Sequence, residues 1–470
     1  MRWAVSRRIS VAAAEGESRM HYLVAAVAAI SGILFGFDEG IIAGAASALK
    51  REFVLTPFLE GLMTAAVPLG AVVGAAVSGR LTGTYGRRRI LIPVALLFIL
   101  GSALAAVADS VWMLVGARTL MGIAVGISSM AAPLYIAETA PKNLRGRLVS
   151  TFQLAITVGI LVAYLVNLML AEDDDWRLMF ALGIIPAVLL LAGLSRLPES
   201  PRWLAQQGRW DDAARAAMRL GGGRSAEGNA EAQVAAIRAA LAAEPVGESL
   251  ATLFRRPMRA TVIVAMCLFL LQQLSGINAV IYYAPQIFRA TGFASEATEL
   301  MATVGIGAIN VAMTVVAMWL VERLGRRRLL MVGFVGTAVS LAGLVLATVL
   351  GGGGPWSLIA LGLFIAAFAV SLGPLPYVLM SEIFPLGMRG AGMSLASISN
   401  WGFNFMVVFS FPILLAAIGL AGVFSIFAAM CCIGLIFAWR QVPETRGISL
   451  EHIERHLRSG APLSRLRPED

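Results

Sequence analysis

The sequence reads QQLSGINAVIYYAP at residues 272–285, inside a long apolar segment that begins near Thr261. A segment of this length and hydropathy is long enough to cross a bilayer as a helix. Amides and phenols are costly in hydrocarbon unless they face protein or a water-filled cavity. Gly276 and Pro285 weaken the helix where these groups cluster. The stretch therefore predicts a polar site at membrane depth.

The polar groups of this stretch are uncharged: Gln272, Gln273, Asn278, Tyr282 and Tyr283. Amides and phenols both donate and accept hydrogen bonds, and a phenol also offers a flat apolar ring. This mixture suits a neutral polyhydroxy molecule, whose hydroxyls donate and accept and whose C–H faces stack on rings. Buried amides also join helices to each other. Five polar groups within twelve residues are more than that role requires.

The composition indicates a membrane protein, because 58% of the 470 residues are hydrophobic and only 14% are charged. Twelve apolar stretches reach membrane-spanning length. They centre near Ile33, Val67, Phe98, Ala124, Ile160, Ala187, Phe269, Val311, Val339, Phe368, Phe403 and Ala429. No signal peptide is expected. The three cysteines, Cys267, Cys431 and Cys432, fall within spans, so neither a disulfide framework nor a zinc site is predicted.

The net charge of +9 is a topology signal rather than a nucleic-acid signal. With the N-terminus in the cytoplasm, nearly all basic residues fall in inner loops and tails, which is the positive-inside pattern. The exceptions are Lys50, Arg51, Arg177 and Arg289 in outer segments and Arg118 within a span. The pattern predicts a multi-pass protein of the inner or plasma membrane with both termini cytoplasmic.

Two charged residues within spans suggest proton chemistry. Asp38 lies in the first span, in the sequence GFDEG at residues 36–40, and burial in hydrocarbon favours the neutral form of an acid. Arg118 in the fourth span needs a partner at membrane depth, and Asp38 is the obvious one. Glu39 lies on a different helical face and is expected at the outer vestibule. A permanent structural ion pair is the alternative for Asp38.

Three motifs recur at nearly constant spacing. The loop GTYGRRR at 83–89 returns as ERLGRRR at 322–328, and its central glycine recurs after 239 residues. A Glu and an Arg, Glu138 with Arg145, return as Glu382 with Arg389 after 244 residues. The sequence PESPR at 198–202 is echoed by PETRG at 443–447. Such order and spacing indicate a duplicated six-span half.

These motifs resemble the sugar porter family of the major facilitator superfamily over about residues 20 to 450. The resemblance implies an all-α membrane protein with twelve transmembrane helices in two pseudo-symmetric six-helix halves around a central cavity. It implies a cytoplasmic tail at 1–20, a first bundle at 21–197, a cytoplasmic helical linker domain at 198–258, a second bundle at 259–440 and a cytoplasmic tail at 441–470. Within the linker, Asp211–Leu220 and Glu231–Leu241 are predicted as short amphipathic helices.

The resemblance also assigns roles to residues. Asp38 and Arg118 take the places of the proton-coupling acid and its arginine. The substrate-binding positions are Gln153, Gln272, Gln273, Asn278, Tyr282, Tyr283, Asn310, Tyr377, Asn400, Trp401 and Asn404. Tyr377 stands where many relatives have Trp. The Gly373-Pro374-Leu375-Pro376 sequence before it predicts a hinge.

Charged loop residues are expected to latch the inner gate through arginine–acid pairs and helix termini. The candidates are Arg87, Arg88, Glu138, Arg145, Glu199, Arg202, Glu322, Arg326, Arg327, Glu382, Arg389 and Glu444. Gly83 stands where the family usually has an acid, whereas the second half has Glu322 at the matching place. The first-half latch is therefore expected to be weaker or to use other acids. Plain topology charge is the alternative for each arginine.

The sequence thus predicts a monomeric transporter of a monosaccharide coupled to protons, with the sugar, the proton and the lipid bilayer as partners and no cofactor, metal or nucleic acid. A uniporter or a carrier of inositol-like polyols is an alternative within the class. A sugar sensor that retains the fold is an alternative outside it, although the C-terminal tail is short for signalling. An enzyme is disfavoured, because the sequence offers no nucleophile–base pair or phosphate loop. The acidic segment 172–175 is interpreted as a solvated loop tip.

Overall fold

In the computed structural model, the described residues are mostly α-helical. The structure describes residues 2–141, 144–171, 175–221, 227–243, 254, 258–351, 353–384, 388–446, 448, 452–453, 456 and 466, without the side chains of 2–19, 227–229, 243, 322 and 389. The helices are α1 (Arg2–Phe53), α2 (Pro57–Tyr85), α3 (Arg87–Ala106), α4 (Val111–Thr139), α5 (Arg145–Met169), α6 (Trp176–Ala181), α7 (Ile184–Arg196), α8 (Pro201–Gln206), α9 (Trp210–Leu220), α10 (Glu227–Ala243), α11 (Arg259–Gln273), α12 (Ile277–Ala290), α13 (Glu296–Leu324), α14 (Arg326–Val349), α15 (Pro355–Ala367), α16 (Leu375–Ile383) and α17 (Arg389–Gln441).

The described helices include 11 stretches that are long and apolar enough to cross a membrane. The last of them, Gly390–Gln441, has 52 residues, more than twice what one crossing needs. Gly419 divides it with φ 70° and ψ 174°, a conformation outside any helix. The segment therefore supplies two spans, and the prediction of twelve membrane helices is confirmed. Helix α1 begins at Arg2, well before its apolar part at Met20.

The spans form two halves, α1–α7 and α11–α17. Between the halves, α2 packs on α17, α5 on α13 and α1 on α12. In span order, the second contacts the eleventh and the fifth contacts the eighth, as a two-fold relation between repeats requires. Small residues allow close packing within each half. A Cβ on Gly36 of α1 would lie 1.9 Å from the Ile156 carbonyl oxygen of α5, so only glycine fits there.

Two breaks in the second half interrupt its membrane helices. The seventh span is α11 and α12, separated at Gly276, which has φ +87° in the left-handed region. Tyr283 within α12 is also non-helical. The tenth span is α15 and α16, joined by a π-helical turn at Phe368–Leu372 and by Gly373 and Pro374. The expected hinge before Tyr377 therefore coincides with an interruption of the backbone ladder.

The linker after the first half forms its own small core. Helices α8, α9 and α10 pack Trp203, Leu204 and Ala213 against Trp210 and Ile237. Helix α9 starts one residue before the predicted boundary and α10 four residues before it. For later reference, the end of the molecule with Arg87–Arg89 and Arg326–Arg328 is called the arginine end. The other end, with the turns after α1, α5 and α12, is called the gate end.

Candidate functional site

Three amides of the second half form one hydrogen-bond chain beside the Gly276 break. The side-chain amide of Asn278 donates to Gln273 Oε1 at 2.6 Å, and that of Gln273 donates to Asn400 Oδ1 at 2.7 Å. The chain links α11, α12 and α17, and each of its side chains is less than a tenth exposed. Because α12 restarts after Gly276, Asn278 can turn back toward Gln273. The amides thus lie together within the protein rather than facing lipid.

Three residues next to this chain in sequence have buried polar atoms without partners. Gln272 donates to the Leu372 carbonyl at 2.7 Å, which fixes its amide at the break of the tenth span. Its Oε1 atom is buried without a hydrogen-bond partner, as are Trp401 Nε1 and Asn404 Oδ1. Buried polar groups normally have a partner from protein, water or ligand. These three atoms offer two acceptors and one donor to a polar molecule.

Aromatic rings flank the same region. Trp401 is fully buried and meets Phe35 of α1 edge to face at a centroid distance of 5.0 Å, so rings of both halves come together. Tyr377 is 37% exposed and contacts Phe269 at 5.0 Å. Tyr283 stacks on Phe411 at 4.8 Å. Such rings can hold the apolar faces of a polyhydroxy ligand.

Two predicted binding residues are not joined to the amide chain. Gln153 on α5 is half-buried, and its side chain makes no hydrogen bond with the described residues. Asn310 on α13 is buried, and its side chain likewise has no hydrogen bond among the described residues. Their roles in binding remain predictions.

Asp38 and Arg118 form a bidentate ion pair. Arg118 Nη1 and Nη2 lie 3.0 and 3.2 Å from the two carboxylate oxygens, and Nε donates to the Met63 carbonyl. Both side chains are fully buried. The arginine also lies over the ring of Phe180 at 5.7 Å. Burial of both charges makes the pair sensitive to any proton that neutralises the acid.

Glu39 is not at an outer vestibule, contrary to the expectation from the sequence. Its residue exposure is only 3%, and its Oε1 accepts a hydrogen bond of 3.4 Å from the Tyr282 hydroxyl. Glu39 is one residue after Asp38 on α1, so its side chain leaves the helix in a different direction. In that direction lies α12, which covers Glu39. Glu39 therefore lies at the contact between the halves.

All described hydrogen bonds between the halves involve α12. Tyr282 donates to Glu39, Gln286 donates to Glu60 at 2.7 Å, and Arg289 donates to Ser47 at 3.3 Å. In the other direction, the Tyr164 hydroxyl donates to the Ile281 carbonyl at 2.8 Å. These contacts lie toward the gate end, so α12 closes that end of the molecule.

Sequence reasoning missed Gln286, Glu60 and Tyr164. The signal for Gln286 was present, because Tyr282, Gln286 and Arg289 share one face of a helix at four- and three-residue spacing. Glu60 is an acid near the start of an apolar helix, and Lys50 pairs with it at 2.9 Å. Nothing in the local sequence of Tyr164 indicates its partner, a backbone carbonyl of the other half.

At the arginine end, Glu138 pairs with Arg87 rather than with Arg145. The Arg87 guanidinium lies 2.7 Å from Glu138 Oε1, and the Ser200 hydroxyl donates to the same carboxylate. Arg145 is exposed and forms no ion pair with the described residues. Although it follows Glu138 closely in sequence, Arg145 begins the next helix, α5.

Glu199 caps the N-terminus of α3. Its carboxylate accepts hydrogen bonds from the backbone N–H groups of Arg87, Arg88 and Arg89 at 3.0 to 3.2 Å. An acid at this place also satisfies the positive end of the helix dipole. Gly86, with φ +101°, makes room, because a Cβ there would lie 2.5 Å from the Glu199 oxygen.

The second half repeats this arrangement. Arg326 lies 2.9 Å from Glu382, and Glu444 accepts from the backbone N–H groups of Arg326 and Arg327 at 2.9 and 3.2 Å. Thr445 donates to Glu382, as Ser200 does to Glu138. The two halves thus share the same set of ion-pair, capping and hydroxyl contacts, as expected for an internal duplication.

These pairs lie within each half. The pairs brace each bundle in this conformation, and a role of the charged residues in latching the gate stays a prediction. Arg202 is half-buried at the start of α8. Glu322 and Arg389 lie on α13 and α17, but their side chains are outside the described part of the chain, as is most of the acidic segment 172–175.

At Gly83, the backbone carbonyl accepts a hydrogen bond from the Trp203 indole at 2.8 Å. The linker therefore contacts the loop position where the family usually has an acid.

A cavity of about 430 Å³ opens at the gate end. Its lining includes Ser47, Lys50, Arg51, Gln286 and Arg289. Its lining includes none of the amide-chain residues, and it lies next to the hydrogen bonds by which α12 closes the gate end.

Comparison with known proteins gives concordant matches. The family model described as "Sugar (and other) transporter" matches residues 24–457. The galactose-proton symporter of Escherichia coli (strain K12) is 38% identical, over 96% of this chain and 97% of that protein. The arabinose-proton symporter of the same strain is 38% identical over 95% of both. The inward open conformation of the xylose transporter XylE from E. coli superimposes with a TM-score of 0.80 at 31% identity, over 93% of this chain and 100% of that one.

Proposed function

This chain belongs to the sugar transporter family of the major facilitator superfamily, and on that premise we propose that it carries a monosaccharide and a proton together across the membrane. The observation that carries the proposal is the buried amide chain Gln273–Asn278–Asn400 with unpaired polar atoms around it. Relatives named for galactose, arabinose and xylose transport with protons support the same substrate class.

The sugar binds at the amide chain. Its hydroxyls donate to Gln272 Oε1 and Asn404 Oδ1 and accept from Trp401 Nε1, the three buried atoms that lack partners. The rings of Trp401 and Tyr377 hold its C–H faces. Gln153 and Asn310 reach the ligand when the first half and α13 move toward it. The absence of a basic side chain from this cluster favours a neutral sugar over a sugar acid.

Proton movement uses the Asp38–Arg118 pair. A proton on Asp38 weakens the ion pair and frees Arg118 and the helices that it joins. The membrane potential adds about 2.3 kcal/mol per charge per 100 mV, so inward proton flow can drive sugar uptake against its gradient. A chain that used only the sugar gradient would not need a buried acid at this place.

Alternating access follows from the asymmetry of contacts between the two ends. Helix α12 bonds to the first half at the gate end, whereas the arginine end lacks described bonds between the halves. Together with the superposition on the inward open conformation of a xylose transporter, this asymmetry supports an inward-facing conformation, with the arginine end and both termini in the cytoplasm, in agreement with the positive-inside pattern. One chain contains a whole pathway and acts as a monomer in the plasma membrane.

Counterflow tests the proposal. Purified protein in liposomes preloaded with D-galactose, D-xylose, L-arabinose or myo-inositol should take up the labelled form of its substrate transiently above equilibrium. A thermal-shift screen over the same compounds should select the same one. Protein that is stabilised by a sugar but catalyses no exchange would instead be a sensor, and exchange of inositol alone would make it a polyol carrier.

A further inference from the structure

Glu39 is a buried acid that the transport scheme does not yet use. It is 3% exposed on α1, beside Asp38, and its described hydrogen-bond partner is the Tyr282 hydroxyl at 3.4 Å. Tyr282 itself is 1% exposed. The contact lies between the two halves, so it exists only while α12 covers α1.

The charges near Glu39 do not balance when every group has its ordinary ionisation. Helix α4 supplies one cation, Arg118, whose Nη atoms are bonded to Asp38 and whose Nε is bonded to the Met63 carbonyl. Among the described residues, the groups with an electrostatic interaction with Glu39 also include three phenols, those of Tyr164 on α5, Tyr282 on α12 and Tyr377 on α16. Two carboxylates and one guanidinium leave a net charge of −1 in a buried volume.

A buried unpaired carboxylate is strongly disfavoured, and a bound proton removes the charge. Of the two acids, Asp38 makes two charge-assisted hydrogen bonds to Arg118, which stabilise its ionised form. Glu39 has one neutral partner. The proton therefore belongs on Glu39, while the ion pair beside it stays intact.

We infer that Glu39 is a second proton-binding residue of the transport cycle, which takes up one proton from the gate end as α12 closes over the sugar and releases it toward the arginine end after the sugar has left. The inference rests on the proposed proton-coupled function. It differs from coupling through Asp38 alone, in which protonation of Asp38 would leave Arg118 charged and unpaired in the same buried volume.

The test is the pH dependence of sugar binding to the purified protein, with whichever of D-galactose, D-xylose or L-arabinose gives counterflow. If closure takes up one proton, the dissociation constant of the wild type rises with pH by up to about tenfold per pH unit above the midpoint. In Glu39→Gln, which keeps the shape of the neutral acid, the change should fall below about twofold per unit. An indicator dye in weak buffer should report uptake of about one proton per wild-type protein on sugar addition and none for the variant.

Glu52→Gln is the matched control, since Glu52 is on the same helix, is more than a third exposed and pairs with Arg177. It should keep the wild-type pH dependence. A second variant, Tyr282→Phe, removes the hydroxyl that donates to the ionised carboxylate and should move the binding midpoint to higher pH. This variant decides the question if Glu39→Gln protein does not fold or bind.

Wild-type pH dependence and proton uptake in Glu39→Gln would overturn the inference, as would an unchanged midpoint in Tyr282→Phe. Either result would be compatible with proton-coupled sugar transport that uses Asp38 alone. A wild-type protein that exchanges sugar with no pH dependence would contradict proton coupling itself, and this inference with it.

Discussion

Gln286 of α12 donates a hydrogen bond of 2.7 Å to the carboxylate of Glu60 on α2, across the boundary between the halves. Glu60 is 3% exposed, so its carboxylate depends on this amide and on Lys50. Loss of one partner of a buried charged acceptor costs about 1–3 kcal/mol. The contact is therefore expected to bias the protein toward closure of the gate end.

We predict that Gln286→Ala opens the gate end. The measurement is the labelling rate of a cysteine placed at Ala284, which is fully buried on α12, in a background without the three native cysteines. A loss of about 1–3 kcal/mol corresponds to a rate increase of roughly 5- to 150-fold with an impermeant maleimide. Gln207→Ala, an exposed amide at the arginine end, should leave the rate unchanged. Equal labelling in both variants would show that Gln286 does not hold α12.

The break at Gly276 should tolerate no side chain. Its φ of +87° is in the left-handed region, and an added Cβ would lie 2.3 Å from a ring carbon of Phe427. We predict that Gly276→Ala lowers the free energy of unfolding by more than about 1 kcal/mol and displaces Asn278. Thermal unfolding and sugar affinity measure the two effects. Gly343→Ala, on a helical residue with open space around it, is the control and should be neutral or slightly stabilising.

Because Glu199 caps α3, we predict that substitutions of Glu199 and of Arg145 differ in their effect on stability. Glu199→Gln removes the charge that three backbone N–H groups share and should destabilise the protein by about 1–3 kcal/mol. Arg145→Gln should change stability by less than about 0.5 kcal/mol, because Arg145 is exposed and unpaired within the described chain. Thermal unfolding in detergent compares the two. Similar losses for both would mean that Arg145 has a partner in another conformation.

The amide chain predicts a loss of affinity for the sugar. Gln273→Ala removes the central member and leaves Asn278 and Asn400 without their shared partner. Sugar binding should weaken by about 1–3 kcal/mol, or roughly 5- to 150-fold. Isothermal calorimetry or a pH-controlled thermal shift can measure the change. Unaltered affinity would place the sugar elsewhere.

Much of the fold was predictable because its signals are local. Apolar stretches of membrane length give the spans, and the repeated glycine–arginine motifs give the duplication. The association of Asp38 with Arg118 was predictable by elimination, since few partners exist at membrane depth. The amides Asn278 and Gln273 are also close in sequence, although their hydrogen bond depends on the break at Gly276 between α11 and α12.

The remaining contacts depend on packing that no local pattern encodes. The choice of Arg87 over Arg145 as the partner of Glu138 depends on where α3 enters relative to α4. The position of Glu39 depends on how far α12 rotates after the Gly276 break, which also decides that Tyr282 faces α1 and Tyr283 faces Phe411.

Uphill uptake in proteoliposomes tests the central claim most directly, with an inward proton gradient, labelled substrate and wild-type protein beside Asp38→Asn. The wild type should accumulate sugar above its external concentration and lose that accumulation when a protonophore is added. Asp38→Asn should reach only equilibrium, because an amide cannot take up the proton. Uphill accumulation by Asp38→Asn with wild-type pH dependence would contradict proton coupling through the buried Asp38–Arg118 pair.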